Sequence, residues 1–261
     1  MTRIRRHSAT AQVAYHDLVS LLLDDTVSDI RGAPTVRERN GRRYWYDRYR
    51  IGTETHERYL GEDTPELAGR IERHRALDGE RRQRGRERAR LVRLLRSERY
   101  LGLDGATGSL VAALARTGVF RLGGVLVGTI AFRLYEGELG LRLSLDELAM
   151  TNDIDVASFE KLSLAIGDTV TPAIADALAE LDFNPEPSLQ NERIWRWKQS
   201  PGETFVEFLT PSFDDEEALR ELPAVGVSAR SPHFLNYLIA DPLHAAAIYP
   251  QGLQVRVPRP E

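Results

Sequence analysis

Three acidic residues carry the clearest chemical signal in this 261-residue chain: Asp153 and Asp155, separated by Ile154, and Glu207 within the apolar run Phe205-Val206-Glu207-Phe208-Leu209. In an extended segment side chains alternate with period two, so Asp153 and Asp155 share one strand face. At ~3.3 Å per residue their Cα atoms lie roughly 6.6 Å apart. Two carboxylates at that spacing suit a hard divalent ion, which takes oxygen ligands. Glu207 completes such a set from a neighbouring strand. Upstream, Leu126-Val127-Gly128-Thr129 reads as an apolar strand turning into a helix. Gly128 lets the backbone approach a phosphate, and a helix N-terminus offers N–H groups and a positive dipole end. Three acids, two strands and this turn point to metal-assisted phosphoryl transfer.

Each piece also has an ordinary structural explanation. An isolated Asp-x-Asp is commonly a loop or cap, and Gly-Thr after an apolar strand is a common βα turn. Glu207 is also explained as a half-buried acid paired with Arg193 or Arg196 of the adjacent strand.

The elements around these residues form an α+β pattern. Residues 8 to 25 read as a helix with Val13, Leu18, Leu21 and Leu22 on one face. From Pro34 to Gly61 the pattern is strand-like. Asn40-Gly41 between Val36–Arg39 and Arg42–Tyr49 is a hairpin signature, and Tyr44, Trp45, Tyr46, Tyr49 and Tyr59 make the sheet aromatic. Aromatics beside Arg can stack on bases, but the favoured expectation is that these rings are the core of a small sheet. Thr64 and Pro65 start a long charged helix reaching about Glu98, with Gly79 and Gly85 as the candidate points of interruption.

Beyond Gly102 come a helix at Leu110–Arg116, the strand Val125–Val127, the Gly128-Thr129 turn with its helix, and the strand Asp153–Val156. A helix follows Thr171-Pro172. Arg193–Lys198 and Thr204–Leu209 form a hairpin whose Trp195 and Trp197 pack in the core. A helix over Pro232–Ala240 and a hairpin from Ala245 to Val257 close the pattern. Lys161 and Arg133 are candidate phosphate contacts, with exposed surface the favoured place for both; His233 and His244 lack metal-ligand spacing.

The organisation expected is a helix and β-hairpin module over 1–62, a charged linker helix over 63–101, and a larger domain over 102–261. Residues 1–100 hold 23 Arg against 16 acidic residues, a net of +7, and the remainder carries −11. The Arg-rich half makes nucleic acid a candidate partner. Lys161 and Lys198 are the only lysines, so a preference for Arg explains part of this. With no cysteine, disulfides, Cys-type zinc sites and thiol nucleophiles are excluded. No apolar run is long enough to span a bilayer and no signal peptide is evident, so the expected location is the cytoplasm, away from membranes. Oligomeric state is not readable.

The order of strand, Gly-Thr turn, helix, two-acid strand and third-acid strand resembles the nucleotidyltransferase superfamily of DNA polymerase beta. Members carry a hydrophobic-Gly-Gly/Ser turn, then an Asp-hydrophobic-Asp/Glu strand. Val127-Gly128-Thr129 matches the first, Asp153-Ile154-Asp155-Val156 the second, and Val206-Glu207-Phe208 the strand bearing the third acid. More narrowly, the chain is similar to a bacterial family of mostly uncharacterised nucleotidyltransferase-fold proteins in which an aromatic hairpin precedes the transferase fold. The resemblance implies a mixed sheet flanked by helices. It also implies Gly128 and Thr129 at the nucleotide, with Asp153, Asp155 and Glu207 as catalytic residues and ligands of Mg²⁺ or Mn²⁺. Thr129 replaces the usual Gly or Ser, Glu207 replaces the usual Asp, and 23 residues separate Thr129 from Asp153. The family pattern continues past the segment matching Gln254–Pro258, so the 102–261 domain is expected to be truncated at its C-terminal end.

Two functions follow from the resemblance. One is transfer of an NMP from an NTP to a hydroxyl of a protein, RNA or small molecule, with a toxin–antitoxin or defence role suggested by related families. The other is a catalytically degenerate fold that binds nucleic acid or protein.

Overall fold

The computed structural model describes residues 5–23, 32–51, 54–143, 153–159, 169–187 and 193–260. In chain order its first elements are β1 (Arg5–Arg6), α1 (Ala9–Leu23), β2 (Ala33–Arg39), β3 (Arg42–Ile51), β4 (Glu54–Glu62) and α2 (Pro65–Ser97). There follow α3 (Gly105–Thr117), β5 (Val125–Val127), α4 (Gly128–Leu139), β6 (Leu141–Arg142), β7 (Ile154–Ala157) and α5 (Ile174–Ala179). The last are β8 (Phe183–Pro187), β9 (Ile194–Gln199), β10 (Phe205–Leu209), β11 (Leu219–Leu222), β12 (Val227–Arg230), α6 (Leu235–Ile239), β13 (Leu243–Ala247) and β14 (Leu253–Val257). Helices and several sheets together make an α+β architecture. No described helix is long and apolar enough to cross a membrane.

A seven-stranded sheet organises the second half, with β10 at its centre. One edge of β10 pairs in parallel with β7. The other pairs antiparallel with β9 near its start and parallel with β12 at its end. Strand β5 runs antiparallel to β7. Alternation sorts the side chains. Leu126, Ile154, Val156, Val206 and Phe208 point to one face and join α3, α4 and α5 in the main core through Leu114, Ile130 and Leu178. Each such side chain, fully buried, contributes roughly 1.5–3 kcal/mol. The opposite face is apolar only in part: Val125, Val127 and Ala157 lie under Leu235 and Ile239 of α6. Asp155 and Glu207 belong to this second face, beside the part that α6 covers.

The first half divides between two clusters. Helix α1 packs Ala11, Tyr15, Leu18 and Leu22 against Leu91 and Leu95 of α2 and Ala246 and Ile248 of the C-terminal hairpin. Val13, expected on the buried face, is 59% exposed; the small Ala11 and Ala14 take the inner positions, where helix and hairpin approach closely. Strands β2, β3 and β4 form a separate three-stranded sheet seated on the start of α2 through Trp45, Leu60, Leu67 and Ile71. Asn40 and Gly41 both adopt positive φ, as a tight hairpin turn requires. Helix α2 begins as expected, with Thr64 accepting from the Leu67 N–H and Pro65 in the first turn. It runs unbroken through Gly79 and Gly85.

Candidate active site

The Val125-Leu126-Val127 strand is entirely buried and stops at Gly128, whose φ of 72° lies in the left-handed region. That conformation swings the chain from β5 directly into α4. Val127, the residue preceding the helix, offers no side-chain acceptor to the first-turn N–H groups. Val127 is the direct neighbour of Asp155 across the β5–β7 ladder. A Cβ at position 128 would stand 2.5 Å from Asp155 Oδ2, so only glycine admits that carboxylate against the turn. Thr129 follows, half-buried, in the first turn of α4.

Asp155 is in turn the direct neighbour of Glu207 on β10. Parallel in-register neighbours project to the same face, so the two strands bring these carboxylates side by side. Asp153 stands just before β7 and accepts the Phe205 N–H at 2.9 Å, tying the start of β7 to the start of β10. All three acids expected from the sequence are thus on one side of the sheet. They do not close on a point as they stand: among the described residues no three Asp, Glu or His side chains are gathered as metal ligands.

Electrostatics show how strongly the acids sense one another. Burial, then the charges of Glu207 and Asp153, push the Asp155 carboxyl up to about 6. Among the described residues no cation is a cause acting on Asp155. Burial also raises Glu207, but Arg196 and Arg230 pull it back while Asp153 pushes it up.

Of the two arginines considered for Glu207, Arg196 is the partner. Its guanidinium is 3.7 Å from Glu207 and 2.7 Å from Glu186 of β8. Arg193 instead donates to the Leu219 carbonyl and faces Glu221. Arg196 also lies over the Phe205 ring at 4.9 Å, and Lys198 at 5.5 Å. Glu186, Phe205, Lys198 and Arg230 were not singled out for this site from sequence. The one available signal was alternation in Ile194–Gln199, which puts Arg196 and Lys198 on one face. Trp197, on the other, is buried edge-on to Phe208, as expected of a core residue.

Other candidates lie elsewhere. Arg133, expected at the surface, is buried and donates to the Gly102 carbonyl, because α4 turns that position inward. Lys161 falls outside the described residues. His233 is bonded to the Asp214 carbonyl and His244 to Gln254.

The donor set is carboxylate oxygen throughout, with a surplus of negative charge, which fits a hard divalent cation in kind and in charge. An oxyanion-lined patch beside a glycine turn and helix N-terminus is equipped for phosphoryl chemistry. A family model described as nucleotidyltransferase matches residues 105–261, from the start of α3 onward. The chain belongs to that nucleotidyltransferase family. A second model, described as a domain of unknown function, matches residues 12–69. No curated protein matches the chain, and no solved structure does.

Proposed function

We infer that the protein transfers a nucleoside monophosphate from an NTP to a hydroxyl on a protein, RNA or small molecule, using the arrangement of the DNA polymerase beta superfamily that its motifs resemble. The observation that carries this reading is the row Val127–Asp155–Glu207, which sets two carboxylates beside the Gly128 turn. Gly128 leaves the backbone open to a triphosphate, and the N-terminus of α4 faces its oxygens with N–H groups. The Thr129 hydroxyl donates to a phosphate oxygen. Asp153, Asp155 and Glu207 would hold Mg²⁺ or Mn²⁺, which when bound neutralises phosphate charge and acidifies the acceptor hydroxyl. In the alternative role for Glu207, its carboxylate takes the hydroxyl proton as general base. The acceptor oxygen then bonds to the α-phosphorus as the bond to the bridging oxygen breaks and pyrophosphate departs.

The test is incubation with Mg²⁺ and labelled NTPs. Pyrophosphate release that Asp153→Ala and Asp155→Ala each abolish supports the reading. The second reading, a degenerate fold that binds a partner, is favoured by the Arg196–Glu207 pair, which accounts for Glu207 without an ion. Salt-dependent RNA or DNA binding without pyrophosphate release, unchanged in both variants, would select it.

A further inference from the structure

The β2–β3–β4 sheet has two faces of different character. Trp45 and Leu60 point toward α2, where Trp45 also donates to Asp63 at 2.7 Å. Asp47, on the same side, is wholly buried and accepts the Gly32 N–H. These residues supply the small core. Tyr44, Tyr46 and Tyr59 do not contribute to it. They alternate onto the outer face, where Tyr59 meets Tyr46 at 5.6 Å and Tyr44 at 6.3 Å, and Tyr59 is 56% exposed. Among the described residues no other element makes an extensive contact with the sheet on that side. The expectation that these rings form the core of the sheet therefore holds for Trp45 and not for Tyr44, Tyr46 or Tyr59; the Tyr49 side chain lies outside the described residues.

Arginines surround the rings. By alternation and register Arg37, Arg39, Arg42 and Arg48 share the tyrosine face. All four are exposed. Arg37 lies over the Tyr46 ring at 5.5 Å. Glu57 and Glu62 pair with Arg37 and Arg42. Such exposed pairs contribute little and exchange readily for a phosphate oxygen.

We propose that this face binds single-stranded nucleic acid, with bases stacked on Tyr44, Tyr46 and Tyr59 and phosphates held by Arg37, Arg39, Arg42 and Arg48. Tyr59 is exposed and Tyr44 and Tyr46 are half-buried beside it. Aromatic rings on an open sheet face give stacking platforms that every base can use, and the interleaved guanidinium groups match a phosphate backbone. A duplex keeps its bases stacked on each other and offers the rings nothing. An acidic polymer without bases would use the arginines and leave the tyrosines idle. The surface is separate from the carboxylate site and its occupancy does not depend on transfer chemistry.

The experiment is fluorescence anisotropy of the full chain with labelled single-stranded RNA and DNA oligomers, a duplex of the same sequence, and heparin as competitor. Binding of either single strand over the duplex is expected. Its logarithmic salt slope should be about −3, as four phosphate contacts give on a single strand. Tyr59→Ala should weaken binding about 5- to 100-fold and Tyr59→Phe should restore it. Tyr59 is exposed, so neither change threatens folding. Asp155→Asn should bind like wild type, which keeps failure here distinct from failure of the transferase reading. Absence of binding, preference for duplex, or binding indifferent to Tyr59→Ala would overturn the proposal.

Discussion

Asp155 and Glu207 are direct neighbours on two parallel strands, β7 and β10, and the second acid keeps the first from ionising readily. Burial is the larger cause, and together with the neighbouring charges it brings Asp155 to about 6 from an ordinary 3.8. The folded state therefore binds this proton more tightly than the unfolded chain does. The resulting cost to stability appears as pH rises from the ordinary carboxylate range and is complete above about 6. In metal-free protein Asp155→Asn should raise unfolding stability by about 1–2 kcal/mol at about pH 7.5, allowing for solvent screening at the open side. The gain should fade near about pH 4. Urea denaturation at both pH values checks this; a gain independent of pH would mean the carboxyl is not perturbed as described.

Gly128 bears two constraints, its positive φ and the 2.5 Å approach that a Cβ would make to Asp155. Gly226 has nearly the same φ, 71°, with nothing within 4 Å of a Cβ. Gly226→Ala should cost only backbone strain, about 1 kcal/mol. Gly128→Ala should cost more, about 2–3 kcal/mol, and should also stop pyrophosphate release. Equal losses of stability in the two variants would show that Asp155 does not crowd the turn.

What the chain displays openly is local. The Val125–Val127 strand, the Gly128 turn and the Thr64-Pro65 helix start were readable because an apolar run, a glycine and a cap residue act within a few positions. Strands β8, β11 and β12 leave no such local signature. Phe183–Pro187 contains two prolines, and the four-residue strands Leu219–Leu222 and Val227–Arg230 are too short and too charged to show alternation. Arg230, which bears on Glu207, went unseen with β12. The parallel pairing of β7 with β10 depends on contacts some fifty positions apart, which no local pattern encodes. Alternation in Tyr44-Trp45-Tyr46 separates two faces but does not say which one meets α2; that follows only from where Leu67 and Ile71 lie.

Arg196 stands between Glu186 and Glu207 and partly neutralises the acid cluster. Arg196→Met keeps the aliphatic stem and removes the charge. Glu207 should then titrate still higher, since Arg196 is the main influence lowering it. With one fewer positive charge nearby, Mn²⁺ should bind about 3- to 10-fold more tightly, a change of about 1 kcal/mol. Isothermal calorimetry with Mn²⁺ measures the affinity and carboxyl NMR measures the titration. A shift in titration without a change in Mn²⁺ affinity would place the ion out of reach of Glu207.

The N-terminal segment is held to α4 by a buried contact. His7 Nε2 and Glu136 Oε1 are 2.7 Å apart, both side chains almost wholly buried, and the same oxygen accepts the Leu101 N–H at 3.2 Å. The His7 ring also stacks on Tyr100, with centroids 3.7 Å apart. Glu136→Ala removes the acceptor for two buried groups and leaves space in a tightly packed corner. Each unmet group is costly away from water, so the change should destabilise the protein by about 2–4 kcal/mol. His7→Phe should lose less, because its ring can keep the stack on Tyr100 while Glu136 retains the Leu101 N–H. Denaturant unfolding of the two variants distinguishes the two bonds to this carboxylate: a larger loss for His7→Phe would mean that the imidazole bond to Glu136 outweighs the Leu101 N–H bond and the packing together.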